Sequence, residues 1–311
     1  MTRVAAIDCG TNSLRLLITD LVPGRPPAQV LRRMEIVRLG AGVDKTGALA
    51  PEAIKRTRLV LAEYSQQIAD LGAERVRMVA TSATRDARNR GDFEAMVIDL
   101  LGQPAEVISG SEEAALSFLG ATASLPILAQ PPTAPYLVVD IGGGSTEFVL
   151  GEETVTDSLS VDIGCVRLTE RHLVSDPPRP DEIGAAEADI RLALTTVAAS
   201  VPIQAPISLI GLAGSVTTVA AVALRLSAYD PQVIHHCRIS VGDVRSTTAE
   251  LLTMTRTQRA ALPVMHPGRV DVIGAGALIL RVVMDVWAID SLLVSEHDIL
   301  DGIATSLADG R

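Results

Sequence analysis

Residues 138–147 read Val-Val-Asp-Ile-Gly-Gly-Gly-Ser-Thr-Glu. An apolar run delivers Asp140 to a turn of three glycines, and Ser145, Thr146 and Glu147 follow. Glycines let a backbone approach an anion closely, with several N–H groups pointing inward. A carboxylate beside that anion repels it unless a divalent cation lies between them. Asp140, Gly142, Gly143, Gly144, Ser145, Thr146 and Glu147 therefore read as a phosphate-and-metal turn. Mg²⁺ suits it, because Mg²⁺ takes few carboxylates and completes its shell with phosphate oxygens and water. The plainer reading is a hairpin whose Asp caps the turn.

The pattern has an echo. Residues 6–13 read Ala-Ile-Asp-Cys-Gly-Thr-Asn-Ser. In both copies an apolar strand brings an Asp, a Gly stands two residues on and a Ser five residues on, and a second apolar strand follows at once. Two copies 132 residues apart suggest two similar domains. A third glycine element, Gly211-Leu-Ala-Gly214-Ser215-Val-Thr217-Thr218, follows a buried run. It predicts a helix start at Ser215, and free N–H groups at a helix start attract anions; an ordinary strand–helix turn with a Ser cap reads the same way.

Two charged groups complete the set. Arg85 and Arg88 follow the end of a strand at Ala80 and are suited to bidentate phosphate contacts, or to a solvated face. Glu112 and Glu113 open a helix. First-turn acids complement the helix dipole, and one of them is placed to orient a water for attack. The residues alone do not choose between the two. His235 and His236, being adjacent, are expected to point to different sides, and His297 reads as a structural residue.

Strands and helices alternate, so the class is α/β. Strands are expected at Val4–Ile7, Leu14–Asp20, Arg75–Ala80, Ala105–Ile108, Tyr136–Asp140 and Leu292–Val294. Helices are expected over Pro51–Leu71, near Asp92–Leu101, from Ser111 to about Ser124, and from about Asp298 to Leu307. Leu125–Pro135 carries four prolines and is the best linker candidate. Leu192–Leu224 lacks charge, but Pro202, Pro206, Gly211 and Gly214 interrupt any membrane helix.

The 311 residues bound the chain to about two domains. With 2% aromatic residues and a net charge of −10, nucleic-acid binding is not expected. Cys9, Cys165 and Cys237 are scattered, which suits free thiols in a reducing compartment. Asp8 stands where a signal peptide needs apolar residues, so a cytoplasmic location is expected, with no membrane partner.

Eight blocks appear in order: Asp8-Cys-Gly-Thr-Asn-Ser-Leu-Arg15, Ala80-Thr-Ser-Ala83, Ile108-Ser-Gly-Ser-Glu-Glu-Ala114, Val139–Glu147, Gly164-Cys-Val-Arg-Leu-Thr169, Gly211–Thr218, Arg269-Val-Asp-Val-Ile273 and Val294-Ser-Glu296. Together, over nearly the whole chain, they resemble the exopolyphosphatase/guanosine pentaphosphate phosphohydrolase (Ppx/GppA) family. The resemblance implies the actin/hexokinase/Hsp70-type fold: two ribonuclease-H-like domains with a cleft between them. The expected domains are 1–124 with 297–311, and 125–296.

By the family's motifs Glu113 is the catalytic base, with Glu112 the second choice. Asp140 and Glu147 are Mg²⁺-linked acids, Asp8 is a further candidate, and Mn²⁺ is a possible substitute ion. Thr11, Asn12, Ser13, Arg15, Arg85 and Gly142–Thr146 are phosphate contacts, joined by Gly214 and Ser215. Thr11 stands where the family often has Ser, and Ser215 where it often has Thr; both keep the hydroxyl.

The implied reaction is Mg²⁺-dependent release of orthophosphate from the end of inorganic polyphosphate. The alternatives are hydrolysis of guanosine pentaphosphate, a catalytically weak sensor of either ligand, and a sugar kinase on the same fold. A homodimer is a family-based expectation. Longer members carry a further helical region, so a chain of this length is expected to grip long polymers less well.

Overall fold

The computed structural model describes residues 1–204 and 207–308, so Pro206 lies outside the described part. The chain divides into two compact units. One holds Met1–Gly120 and the segment from Ile299 onward; the other holds Ala121–Asp298.

The first unit is built on β1 (Thr2–Cys9), β2 (Ser13–Leu21), β3 (Ala28–Ile36), β4 (Arg75–Ala80) and β5 (Glu106–Val107). The sheet order is β3-β2-β1-β4-β5. The first three strands form an antiparallel meander, and β4 and β5 join β1 in parallel. Parallel neighbours require crossovers. Helix Pro51–Asp70 makes the first and helix Arg90–Leu101 the second. Pro51 pre-sets the helical φ at the start of the first crossover helix.

Side chains alternate across β1. Ala5, Ile7 and Cys9 join Leu14, Leu16 and Ile18 against Leu61, Tyr64 and Ile68 of the first crossover helix. Val4 and Ala6 face the other way, toward Leu116, Ile299, Leu300 and Ile303. Asp8 shares the second face by the same alternation. Gly302 lets the C-terminal helix Ile299–Ser306 reach the helix Gly110–Thr122, since a Cβ there would lie 2.0 Å from the Leu116 carbonyl oxygen.

The second unit repeats the plan. Its strands are β6 (Tyr136–Ile141), β7 (Thr146–Gly151), β8 (Val155–Val161), β9 (Ser208–Leu212), β10 (Arg238–Ser240) and β11 (Ser291–Val294), in the order β10-β11-β9-β6-β7-β8. The β6-β7-β8 meander is antiparallel, β9 and β11 are parallel to β6, and β10 adds an antiparallel edge. Without β10, both sheets are a three-strand meander extended by two parallel strands, the ribonuclease-H-like arrangement. Helices Pro180–Ser200 and Ile273–Val286 pack on the sheet and on each other.

Several expectations change. The edge strands β3, β8 and β10 were not anticipated. The proline-rich stretch is no linker: the units meet in sequence at Gly120–Ala121. The stretch is tied into the second unit, where Leu125 is buried and Ser208 donates to the carbonyls of Thr133 (2.7 Å) and Pro135 (3.1 Å). His235 and His236 do not point apart; their rings stack with centroids 3.6 Å apart. Among the described residues no helix is long and apolar enough to cross a membrane.

Candidate active site

In each unit the parallel strands end side by side at one edge, where open α/β sheets bind ligands. In the first unit that edge carries the turn after β1, the segment after β4 and the segment after β5.

The β1–β2 turn closes with Gly10 N donating to Ser13 O at 3.0 Å. Its carbonyls are occupied: Thr11 O accepts from Gly40 N (2.8 Å), and Asn12 O accepts from Val37 N (3.0 Å) and Arg38 N (2.8 Å). Gly40 is required here, because a Cβ would lie 2.4 Å from Thr11 Cγ2. The amides of Thr11 and Asn12 donate to none of the described residues, which suits an anion.

Asp8 and Arg15 are directly opposite across the hairpin. Arg15 donates twice to Asp8 Oδ2, at 2.9 Å from Nε and 2.5 Å from Nη2. Asp8 is buried against this guanidinium. Arg15 thereby balances the charge of Asp8.

After β4, Thr81 N donates to Cys9 O and the short helix Ser82–Asp86 begins. Arg85 leaves that helix and donates through Nη1 to Ile108 O (3.0 Å) and Glu113 Oε2 (3.1 Å). Arg88 instead donates to Thr46 O, a structural bond. The two adjacent glutamates differ sharply. Glu112 is exposed and paired with Arg77 at 2.8 Å, in a surface cluster with Glu106. Glu113 is buried beside Arg85. One residue along a helix turns a side chain by about 100°, so one acid meets solvent and its neighbour the strand-end edge.

The second unit's glycine turn closes in the same way, with Gly142 N donating to Ser145 O at 3.0 Å. Its carbonyls face the helix Cys165–Arg171. Cys165 N reaches Gly142 O (2.9 Å), Val166 N reaches Gly143 O (2.9 Å), and Arg167 Nε reaches Gly144 O (2.7 Å). With the carbonyls drawn to that helix, the amides of Gly143 and Gly144 donate to none of the described residues. Ser145 lies in the turn and is buried. Thr146 needs correction as a phosphate contact: it is fully buried, and its hydroxyl donates to Ile163 O.

Asp140 and Glu147 are directly opposite across β6 and β7, the register position that Asp8 and Arg15 hold in the first unit. Both acids are buried, and Glu147 accepts from Ser160 Oγ at 2.7 Å. No group of three or more His, Cys, Asp or Glu among the described residues is arranged to hold a metal. Two opposed carboxylates beside an amide-lined turn nonetheless fit Mg²⁺, which completes its shell from phosphate and water.

The third element is also at this edge, since β9 pairs with β6 in parallel. Ala213 takes φ +68°, a left-handed conformation costly for a residue with a Cβ, and opens the helix Ala213–Ala223. Gly214 admits the guanidinium of Arg269, whose Nη2 would lie 2.3 Å from a Cβ there. Arg269 donates to Thr218 Oγ1 at 3.0 Å. Arg269 was not among the expected site residues, although it opens the Arg269–Ile273 block of the family resemblance. Ser215 is buried and packed against Gly276.

Burial disfavours the thiolate form of both cysteines near these turns. Burial pushes the Cys9 thiol well above its ordinary range. Burial raises Cys165 too, against the pull of a hydrogen bond with Ser215 and the nearby Arg269.

Known proteins share this fold. Exopolyphosphatase 2 of Mycobacterium tuberculosis is 52% identical over a 320-position alignment that covers 99% of each chain. The crystal structure of an exopolyphosphatase from Cytophaga hutchinsonii superposes with a TM-score of 0.90 at 27% identity, covering 99% of this chain and 98% of that one. The Aquifex aeolicus member of the Ppx/GppA family superposes with a TM-score of 0.82 at 32% identity, covering 100% and 99%. The profile of the Ppx/GppA phosphatase family matches residues 17–310, and the chain belongs to that family.

Proposed function

We propose that this chain is an exopolyphosphatase that removes the terminal phosphoryl group of inorganic polyphosphate. One observation carries the reading: each unit ends its first hairpin in the same anion-ready turn, and a buried glutamate stands at the strand-end edge of the first unit. The 52% identity to a protein named exopolyphosphatase supports it.

In this reading Glu113 accepts a proton from water as its oxygen attacks the terminal phosphorus. The bridging P–O bond breaks, its electron pair stays on the bridging oxygen of the shortened chain, and orthophosphate leaves. Arg85 holds Glu113 in place through the bond at 3.1 Å. The amides of Gly143 and Gly144, with the hydroxyl of Ser145, are suited to phosphoryl oxygens at the second unit's turn. Asp140 and Glu147 would hold Mg²⁺, or Mn²⁺ in its place, which offsets charge on those oxygens.

The test is phosphate release from short polyphosphate, long polyphosphate and guanosine pentaphosphate, with wild type and Glu113→Gln. Polyphosphate should give the highest kcat/KM, and Glu113→Gln should lower kcat by roughly 10²–10⁴-fold, the usual worth of a positioned base. Glu112→Gln should stay within about threefold, because Glu112 is a surface ion pair. A preference for guanosine pentaphosphate would shift the reading to the nucleotide. Wild-type turnover by Glu113→Gln would remove Glu113 from its role.

A further inference from the structure

Three of the chain's five histidines stand together. The rings of His235 and His236 stack at 3.6 Å, and that of His297 lies 4.3 Å from His235. Their position along the chain is informative. The chain passes between the units twice, at Gly120–Ala121 and at Asp298–Ile299. His236 Nε2 lies 3.2 Å from the hydroxyl of Ser124, just after the first crossing. His235 Nδ1 accepts from Glu296 N at 3.1 Å, and His297 is itself part of the approach to the second crossing. Backbone bonds join the same elements: His236 N donates to Val294 O (2.7 Å), and Val294 N donates to Cys237 O (2.9 Å). We infer that the His235–His236–His297 cluster is an acid-sensitive clasp that tethers, within the second unit, both stretches of chain that lead to the first.

The neutral state follows from the bonding. A ring nitrogen that accepts a hydrogen bond carries no proton, so His235 is the Nε2–H tautomer. Stacked imidazoles tolerate contact, whereas imidazolium rings at this spacing repel. Burial, aided by His297, holds His236 below the ordinary histidine range.

The surrounding groups do not reverse this. Two carboxylates lead to the crossing, the buried Asp298 and Glu296, whose negative charge favours imidazolium. Glu296 Oε1, however, lies 2.6 Å from the hydroxyl of Tyr229, which stands 2.7 Å from Thr217 Oγ1. Burial and Glu296 raise both Tyr229 and Cys237, the thiol to about 11, so both stay neutral. Ser124 carries no charge, and the charge of Arg269 pulls against the rise at Tyr229.

The sign is then fixed. A histidine held neutral by the fold contributes stability above its unfolded pKa of about 6.5 and loses it as pH falls. Acid should loosen both tethered segments together. Through Glu296, Tyr229 and Thr217 the disturbance would reach the helix that begins beside Gly214 and Ser215.

Hydrogen exchange on the intact chain tests this, read at pH 7.5 and 5.5 after correction for intrinsic rates. For one histidine kept neutral when clasped, the opening equilibrium should rise about tenfold over that range. The rise should appear in peptides covering 121–127 and 294–298, with β6 (136–141) unchanged. His236→Asn keeps a side chain suited to the left-handed φ of +65° at that position and can still meet Ser124, but does not titrate. It should flatten the pH step in both peptides. Ser124→Ala should release 121–127 at both pH values and leave the step at 294–298. A pH-independent wild type, a step confined to one segment, or a full step in His236→Asn would each overturn the inference.

Discussion

Gly164→Ala isolates the steric support of the glycine turn. Gly164 has φ −117° and ψ 162°, which alanine adopts freely, so backbone conformation is no obstacle. Space is the obstacle. A Cβ there would lie 2.2 Å from Gly143 O, 2.4 Å from Gly143 C and 2.5 Å from Gly144 C. Carbon contacts are comfortable at about 3.5–4.0 Å, so the turn must retreat by roughly 1 Å. The obstructing atoms are backbone, held by the bonds from Cys165 N and Val166 N, and cannot swing aside as a side chain would. Overpacking of this kind costs about 1–3 kcal/mol, and a misplacement of about 1 Å at a reacting group costs about 10²-fold in rate.

Gly164→Ala should therefore remain folded at 25 °C, with a lower urea midpoint and kcat for phosphate release down by about 10²-fold. Gly184→Ala is the control: it sits in the helix Pro180–Ser200 with nothing within 4 Å of its Cβ. That variant should gain up to about 1 kcal/mol and keep full activity. Turnover by Gly164→Ala within twofold of wild type would refute the claim that this contact sets the turn.

Two further perturbations address Arg269 and the thiols. Gly214→Ala should cost little stability, because the atoms it meets belong to the end of a flexible side chain. It should displace Arg269 from Thr218 and lower kcat/KM at least tenfold; unchanged kinetics would exclude Arg269 from the site. Burial and Glu296 push the Cys237 thiol up to about 11, so at pH 8 only about one molecule in a thousand carries the thiolate, against roughly a quarter for an ordinary cysteine. Iodoacetamide should label it some two orders of magnitude more slowly than a model thiol, with the rate still climbing at pH 10. A plateau below pH 9 would contradict that environment.

The parts of the site legible in the sequence are those specified locally. A strand that ends in Asp and a glycine turn announces its geometry within ten residues, and both copies could be read. The rest depended on partners far along the chain. Arg269 lies 55 residues from Gly214, and only the fold brings them together. Adjacent histidines would diverge in any regular element, but His236 takes a left-handed φ that returns its ring to its neighbour. The choice between Glu112 and Glu113 rests on helix phase against Arg77 and Arg85, two cations whose placement needs the sheet. β3 escaped notice because it is an edge strand with Arg32, Arg33 and Glu35 on it, which blurs the alternation that marks a strand. The unit boundary falls inside the helix Gly110–Thr122, four residues before the expected division at 124/125, with no change in composition to mark it.

The two hairpins share a register but differ in charge, and this difference makes the metal assignment testable without an activity assay. In the first unit Asp8 opposes Arg15, a neutral pair; in the second Asp140 opposes Glu147, two buried acids. Like charges directly opposite on a sheet are destabilising, by up to about 1 kcal/mol at exposed positions and by more when buried. A divalent cation removes that penalty, so Mg²⁺ at about 100 times its Kd should add about 2.7 kcal/mol. For a unit of this size that is a rise of roughly 5–10 °C in Tm. Asp140→Asn keeps the shape and deletes one charge. Without Mg²⁺ it should melt above wild type, because the repulsion is gone. With Mg²⁺ it should gain little, so the order of the two proteins reverses across a titration. A chelator should restore the first order. A structural Asp predicts the opposite at zero Mg²⁺, since its loss would only remove hydrogen bonds. If Asp140→Asn melts below wild type in the chelator and gains as much from Mg²⁺ as wild type does, the opposed acids are not the metal's ligands.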